Sequence, residues 1–130
     1  MKKGNQEDLI RFYVERSFTT LKDAKVLGDS GGWTSCINRL YYACFYIVYA
    51  LLLQKIGVRT KTHSGVKTLF SKHIVKPGLV KAESGYFYSL LMEKRGEGDY
   101  GDFEIFTAEE VLPLILQAEE FIITIQKLIL

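Results

Sequence analysis

One predicted helix carries an arginine and several tyrosines on the side that would face solvent in a plain helix bundle. Arg39, Tyr42, Tyr46 and Tyr49 share this side, and Arg39 projects together with Tyr42 because residues three apart are neighbours on a helix. A guanidinium binds carboxylate or phosphate through charge-assisted hydrogen bonds, and each buried phenol needs a hydrogen-bond partner. These residue types indicate a polar cleft or a contact surface.

Two explanations of this tyrosine-rich side stay open. In the first, the helix is central and contacts other helices all round. In the second, part of the side faces a second subunit or lines a polar cleft. An unpaired guanidinium is costly to bury, so Arg39 needs a carboxylate or phosphate partner. We expect the partner within the chain to be Asp99 or Asp102.

Metal, disulfide and cofactor sites are not indicated. The chain has two histidines and two cysteines, and neither pair has the spacing of metal ligands. Cys36 and Cys44 lie eight residues apart on one predicted helix, which separates them by about 12 Å and exceeds the reach of a disulfide. Both are therefore interpreted as reduced core thiols of a cytosolic protein.

The basic residues give no clear nucleic-acid signature by themselves. The net charge of the 130-residue chain is only +2. Six of the basic residues cluster around one predicted helix: Arg59, Lys61, Lys67, Lys72, Lys76 and Lys81. This cluster is interpreted as solvated surface, and the alternative is a rim that contacts phosphates without reading sequence.

Size and hydropathy predict one cytoplasmic domain spanning residues 1–130. A chain of this length, 48% apolar, has room for a single core. The longest apolar run covers residues 40–53, shorter than the roughly 20 residues that a bilayer span needs. The first residues lack the apolar segment of a signal peptide, so no membrane association is expected.

Glycine and proline divide the chain into five predicted helices, at about residues 5–27, 33–56, 64–75, 79–95 and 107–130. Gly28 and Gly57 stand where left-handed caps would end the first two helices. Three glycines between residues 96 and 101 predict a loop or a frayed helix end. No segment alternates with the period of a strand. The fold class is all-α, an antiparallel up-and-down bundle of four to five helices.

Three short motifs carry a resemblance to a known family. They are Asn-Arg-Leu-Tyr-Tyr-Ala at residues 38–43, Lys-Thr-His-Ser-Gly-Val at residues 61–66, and Arg95 followed by Asp-Tyr-Gly-Asp at residues 99–102. In this order they resemble the HEPN domain family, in particular its small standalone prokaryotic branch. The resemblance extends over roughly residues 9–128.

The resemblance implies a homodimer in which two copies of an arginine-containing motif face each other across a cleft. Many family members are ribonucleases, often toxins, and several act with a minimal nucleotidyltransferase in toxin–antitoxin pairs. The family's nuclease motif is an arginine followed, after four to six residues, by a histidine. Here Tyr100 stands five residues after Arg95, and the position of the family's nucleotidyl-accepting tyrosine is Asp102. A phenol with a pKa near 10 is a poor proton shuttle at neutral pH.

His63 is the one imidazole inside these motifs, and it has two interpretations. It is either a turn histidine bonded to backbone at the start of the third helix, or an acid or anion contact near Arg39 and Arg95. The candidate catalytic residues are therefore Arg95, His63 and Tyr100. His73 shares the apolar side of its predicted helix and is interpreted as a packing residue.

The leading hypothesis is a dimeric HEPN-type module that binds RNA, a nucleotide or a nucleotidyltransferase partner. Its candidate ligand-binding residues are Arg39, Tyr42, Arg95 and Asp99, with Asp99 and Tyr100 orienting the arginines by hydrogen bonds. The alternatives are a metal-independent ribonuclease toxin with a degenerate Arg-x4-Tyr motif and a structural dimerisation domain.

Overall fold

The computed structural model describes residues 3–101 and 105–129, and these residues form helices without any strand. The elements in chain order are α1 (Lys3–Asp29), α2 (Trp33–Ile56), α3 (His63–Phe70), a π-helical turn (Ser71–Val75), α4 (Ala82–Tyr100) and α5 (Ala108–Gln126). The prediction of an all-α helix bundle is confirmed.

Helix α2 is the centre of the bundle and packs against α1, α3, α4 and α5. Nearly every side chain from Leu40 to Leu53 is buried, which removes a large apolar area from water. By length and composition α2 could also cross a bilayer, but 78% of its apolar window is buried by the other helices. The prediction of a core helix with these bounds is confirmed. On its tyrosine-rich side Tyr49 is buried, as the first explanation requires, whereas Arg39, Tyr42 and Tyr46 are half-buried.

The prediction that Gly28 caps α1 is wrong. Helix α1 continues to Asp29, and the left-handed conformation appears at Gly31, with φ 80°. Gly28 lies where α1 and α5 approach each other, since a Cβ atom there would stand 2.9 Å from Cδ1 of Ile115. At the end of α2 the prediction is confirmed: Gly57 has φ 60° and donates its N–H to the carbonyl of Leu53.

The third predicted helix is divided into two parts. Thr62 caps α3 by accepting a hydrogen bond from the N–H of Gly65 at 3.1 Å, which fixes His63 as the first residue of that helix. After Phe70 the backbone widens into a π-helical turn, shown by the 2.9 Å bond from the N–H of Lys76 to the carbonyl of Ser71.

Of the two alternatives predicted between residues 96 and 101, the loop is wrong, because α4 continues as a helix to Tyr100. Gly98 faces the bundle, where a Cβ atom would stand 3.1 Å from both the ring of Phe106 and the methyl group of Thr34. Its missing side chain thus permits close packing, which offsets the low helix propensity of glycine. The extra turn of α4 carries Asp99 back towards α2.

Candidate functional site

Arg95 on α4 lies against the tyrosines of α2. Its guanidinium carbon is 5.4 Å from the ring centroid of Tyr41, 5.8 Å from that of Tyr42 and 5.7 Å from that of Tyr100. Such distances allow cation–π attraction to all three rings. Only 11% of the Arg95 side chain is exposed, so this charge is largely removed from water.

Arg95 has more hydrogen-bond donors than the described residues can satisfy. Its Nη1 donates to Oδ2 of Asp99 at 3.2 Å, four residues further along α4. Its buried Nε has no acceptor among the described residues. A guanidinium carries five N–H donors, and buried donors without acceptors are costly. Arg95 therefore has donor capacity beyond its ion pair with Asp99, and a ligand from solvent would meet the 11% of its side chain that is exposed rather than Nε.

Arg39, on α2, contacts the ring of Tyr42 as Arg95 does. Its guanidinium lies over the ring of Tyr42 at 5.1 Å, so the predicted proximity of these two residues is confirmed. Its Nε and Nη2 donate to Oδ1 of Asn38 at 3.1 and 2.8 Å. The amide nitrogen of Asn38 in turn donates to Asp99 at 3.2 Å.

The expected direct pair between Arg39 and Asp99 is therefore wrong. Asp99 forms its ion pair with Arg95, because both lie on α4 at the favourable spacing of four residues, and Asn38 relays the contact to Arg39. Asp102, the other expected partner, lies outside the described residues. Among those described, one carboxylate serves two guanidinium groups, which leaves a local excess of positive charge.

His63 contacts the same two tyrosines as Arg95, Tyr41 and Tyr42. Its Nδ1 is 2.7 Å from the hydroxyl of Tyr41, and its Nε2 is 3.4 Å from the hydroxyl of Tyr42. Burial raises the pKa of Tyr41 to about 12, so this phenol stays protonated. The structure brings His63 near Arg95, as the second interpretation of this residue requires, and its role as an acid or anion contact stays a prediction.

The imidazole of His63 is held in its neutral form at neutral pH. Burial of the ring, and after it the positive charge of Arg95, lowers the pKa of His63 from its ordinary value of 6.5. Neutral imidazole has one nitrogen free to accept a proton, so His63 has the charge state that a general base requires.

The charge of Arg95 can be tested through the pKa of His63. We expect a folded-state pKa below 6.5 that rises in Arg95→Ala, because a like charge has been removed. NMR titration of the imidazole C–H signals measures it, and His73 serves as the internal control since the chain has two histidines. The lowered pKa also predicts that wild type loses stability relative to His63→Gln as the pH falls below about 6.5. An unchanged His63 pKa in Arg95→Ala would contradict the proposed effect of the Arg95 charge on His63.

Tyr100 covers Arg95 with its ring and is 79% exposed. The prediction that Tyr100 orients the arginines by hydrogen bonds is not met among the described residues, where its contact with Arg95 is made by the ring. Asp99 does orient both arginines, one of them through Asn38.

Two residues at the centre of the site were missed by the sequence reasoning. Tyr41 was assigned no role although it contacts both Arg95 and His63, and Asn38 links the two guanidinium groups through Asp99. Their signal in the sequence was the motif 38–43 itself, since Asn38 and Tyr41 are three residues apart on one helix face.

Other candidate chemistry stands apart from this cluster. No group of three or more potential ligands is placed to hold a metal ion among the described residues. Cys36 and Cys44 are free and buried, and burial raises the pKa of the Cys36 thiol to about 11. A surface cavity of about 560 Å³ is lined by seven residues, none of them acidic: Ser64, Lys67, Thr68, Ser71, Lys72, Lys76 and Met92.

Known proteins are similar in sequence to this chain over two thirds or more of its length. It is 43% identical over 126 residues to a UPF0332 protein of Thermotoga maritima, covering 97% of this chain and 95% of that protein. A UPF0332 protein of Gloeobacter violaceus is 32% identical over 96 residues, 74% of this chain and 72% of the relative. A protein of Methanocaldococcus jannaschii named "Putative toxin MJ0142" is 31% identical over 87 residues, 67% of this chain and 58% of that protein.

The family model that matches is that of the HEPN domain, over residues 10–128. This range runs from the first turns of α1 to the end of α5 and includes all the residues of the site described above. The resemblance recognised from the three short motifs is thereby confirmed, and the chain belongs to the HEPN domain family.

Proposed function

We propose that this HEPN protein binds the phosphate groups of RNA or of nucleotides in a cleft formed by Arg39 and Arg95. The observation that carries the proposal is the charge of Arg95, which is largely removed from water and has a single ion pair, with Asp99, among the described residues. Phosphate oxygens are acceptors whose geometry matches a guanidinium.

The groups around Arg95 suit such a ligand. Arg39 adds a second guanidinium that has no ion pair within 4.0 Å among the described residues, so an anion bound between the two would gain from both charges. The rings of Tyr42 and Tyr100 offer flat apolar faces at the same place, and nucleobases stack on such faces.

Salt dependence tests the proposal. Fluorescence anisotropy with a labelled single-stranded RNA, and calorimetry with 5′-AMP, should detect binding at low salt. The logarithm of the RNA association constant should fall linearly with the logarithm of the salt concentration, by about 0.7 per phosphate contact on a single strand. Absence of binding to both ligands at low salt would remove the proposal.

We also propose that the protein pairs with a second copy of itself and acts with a minimal nucleotidyltransferase in the cytoplasm. Support for the pairing comes from large apolar side chains left in solvent on α5, where Leu112 is 50% and Leu116 is 64% exposed. Sedimentation across a range of concentrations tests the pairing, and a monomer at every concentration would contradict it. Co-purification with a co-expressed small nucleotidyltransferase tests the partner.

A second candidate function is RNA cleavage without a metal. The specific observation in its favour is that neutral His63 and cationic Arg95 share Tyr41 and Tyr42. In this mechanism His63 takes the proton of a 2′-hydroxyl, whose oxygen bonds to the adjacent phosphorus as the bond from phosphorus to the 5′-oxygen breaks. Arg95 stabilises the charge that develops on the phosphate, and the leaving 5′-oxygen takes a proton from water or from the imidazolium of His63. A relative named as a toxin is in keeping with it. Cleavage that persists in EDTA and is lost in Arg95→Ala supports the mechanism, and purified protein that leaves several RNAs intact retires it.

A further inference from the structure

A second group of cations and rings lies outside the cleft of Arg39 and Arg95. On α1, the guanidinium of Arg16 is 5.7 Å from the ring centroid of Phe12 and 5.2 Å from that of Tyr46 on α2. Arg16 is exposed, while the ring of Tyr46 is half-buried. The guanidinium therefore rests on an aromatic surface with one face turned to solvent.

Lys61 makes the same kind of contact from the segment that joins α2 to α3. Its Nζ is 5.5 Å from the ring centroid of Tyr13 and 5.7 Å from that of Tyr49. Two residues after Lys61, His63 begins α3, so one short stretch of backbone carries a residue of each group. We call Arg16, Lys61 and the rings that they cover the Arg16–Lys61 subsite.

The rings form a continuous row from the cleft to this subsite. The centroid of Tyr42 is 6.1 Å from that of Tyr46, Tyr46 is 5.9 Å from Tyr13, and Tyr13 is 4.9 Å from Tyr49. Tyr49, at the end of the row, is buried, whereas Tyr42, Tyr46 and Tyr13 are half-buried and can meet a ligand. Along α2 the distance from Tyr42 to Tyr46 is four residues, or about 6 Å, which at the roughly 3.4 Å spacing of stacked nucleotides corresponds to about two of them.

Packing alone does not account for the two cations. Neither Arg16 nor Lys61 has a carboxylate within 4.0 Å among the described residues, in contrast to Arg11, which pairs with Asp8 on the outer face of α1. Hydrogen bonding to Tyr46 raises the pKa of Arg16, and hydrogen bonding to Tyr13 raises that of Lys61. Both therefore present positive charge to solvent above aromatic faces.

We propose that the Arg16–Lys61 subsite extends the cleft, so that the protein binds a single-stranded nucleic acid several nucleotides long rather than an isolated nucleotide. This inference rests on the proposed function of Arg39 and Arg95. Successive bases stack on rings and guanidinium planes while cations follow the backbone, which is how single strands bind without base pairing. A duplex does not fit, because its base faces are already stacked inside the helix.

The test compares Arg16→Ala/Lys61→Ala with Lys22→Ala/Lys127→Ala, which removes the same charge from exposed positions away from the rings. The ligands are a ten-nucleotide single-stranded RNA, the DNA of the same sequence, the matching duplex and 5′-AMP. In the first variant we expect the RNA to bind about tenfold more weakly, with a salt slope shallower by about 1.4. Binding of 5′-AMP should be unchanged, as should the thermal midpoint.

The possible results distinguish failure of the Arg16–Lys61 subsite from failure of the proposed cleft. Equal affinity of the ten-nucleotide strand for wild type and Arg16→Ala/Lys61→Ala overturns the subsite while 5′-AMP binding still supports the cleft. A duplex that binds as tightly as the single strand also overturns it. Weakened 5′-AMP binding in that variant contradicts a separate subsite. If the RNA and DNA strands bind with different affinities, the difference identifies which sugar the row accepts. Weaker binding of either strand by Arg16→Ala/Lys61→Ala than by wild type supports the subsite.

Discussion

Replacing Arg39 and Arg95 together with alanine is expected to weaken the binding of RNA and of 5′-AMP by about 100-fold or more. A hydrogen bond to a charged group contributes about 1.5–3 kcal/mol, and each 1.4 kcal/mol is a factor of ten in affinity. Both guanidinium groups lie within 5.8 Å of the ring centroid of Tyr42 and are joined through Asn38 and Asp99, and in the proposed cleft both contact the same anion. Isothermal titration calorimetry measures the loss.

Two controls make this loss interpretable. Lys22→Ala/Lys127→Ala removes the same two charges from exposed positions and should retain affinity within about twofold. Arg95→Lys keeps the charge but loses the planar donors, so it should recover only part of the affinity. Affinity in the Arg39→Ala/Arg95→Ala variant equal to that of wild type, in a protein that remains helical by circular dichroism, would contradict the cleft.

Replacing Asp99 with alanine is expected to lower the free energy of unfolding by about 1–3 kcal/mol. The side chain of Asp99 is 26% exposed, and that of Arg95, which it pairs, is 11% exposed. Arg95 would then keep a largely buried charge without any of the acceptors seen among the described residues, and Asn38 would lose the acceptor of its amide. Urea denaturation followed by circular dichroism measures the change.

The matched control is Asp8→Ala. Asp8 and Arg11 form an ion pair on α1 at 3.7 Å, with both side chains 70% exposed, so its removal should change stability by less than about 0.5 kcal/mol. Equal effects of Asp99→Ala and Asp8→Ala would show that the Arg95 charge is no harder to accommodate than an exposed one. That result would remove the physical basis of the cleft.

Local sequence signals predicted the elements whose ends depend on neighbouring residues alone. The bounds of α2 follow from its apolar run and from Gly57, which adopts the left-handed conformation. The last helix was predicted to begin at about residue 107, and Thr107 caps α5 by accepting a hydrogen bond from the N–H of Glu110 at 3.3 Å. These features require no knowledge of which helices pack together.

Elements whose form depends on packing were predicted wrongly. The glycines at the end of α4 favour coil by propensity, yet Gly98 is helical and packs so closely that a Cβ atom would stand 3.1 Å from both Phe106 and Thr34. Gly28 was predicted to end α1 because glycine favours the left-handed conformation of a helix cap. In the structure it lies inside α1 and makes room for Ile115 of α5. Helix contacts between distant segments decide both cases.

In the site too, some contacts could be predicted from local sequence and others depend on how distant segments pack. The proximity of Arg39 and Tyr42 follows from helix geometry, and the structure confirms it. The contact between His63 and Tyr41 joins the start of α3 to the centre of α2, a relation that no spacing in the sequence shows. The choice of Arg95 as partner of Asp99 became visible only once α4 was known to continue as a helix.

The histidine next to these tyrosines stands at a different place in the chain from the histidine of the family's motif. The resemblance led us to expect a histidine shortly after Arg95, where Tyr100 stands instead. In the structure the imidazole that contacts the tyrosines around Arg95 is His63, which enters from the first turn of α3. An arginine and a neutral histidine are therefore close together although their spacing in the chain differs from the family's motif.

The most direct test of the central claim observes both guanidinium groups while a ligand binds. In a ¹H–¹⁵N NMR titration of the arginine Nε–Hε signals with 5′-AMP, the signals of Arg39 and Arg95 should shift together and give one dissociation constant. The signal of Arg11, on the outer face of α1, should stay in place. Binding of 5′-AMP that leaves the Arg39 and Arg95 signals unmoved, or moves them with different dissociation constants, would contradict a single cleft shared by the two side chains.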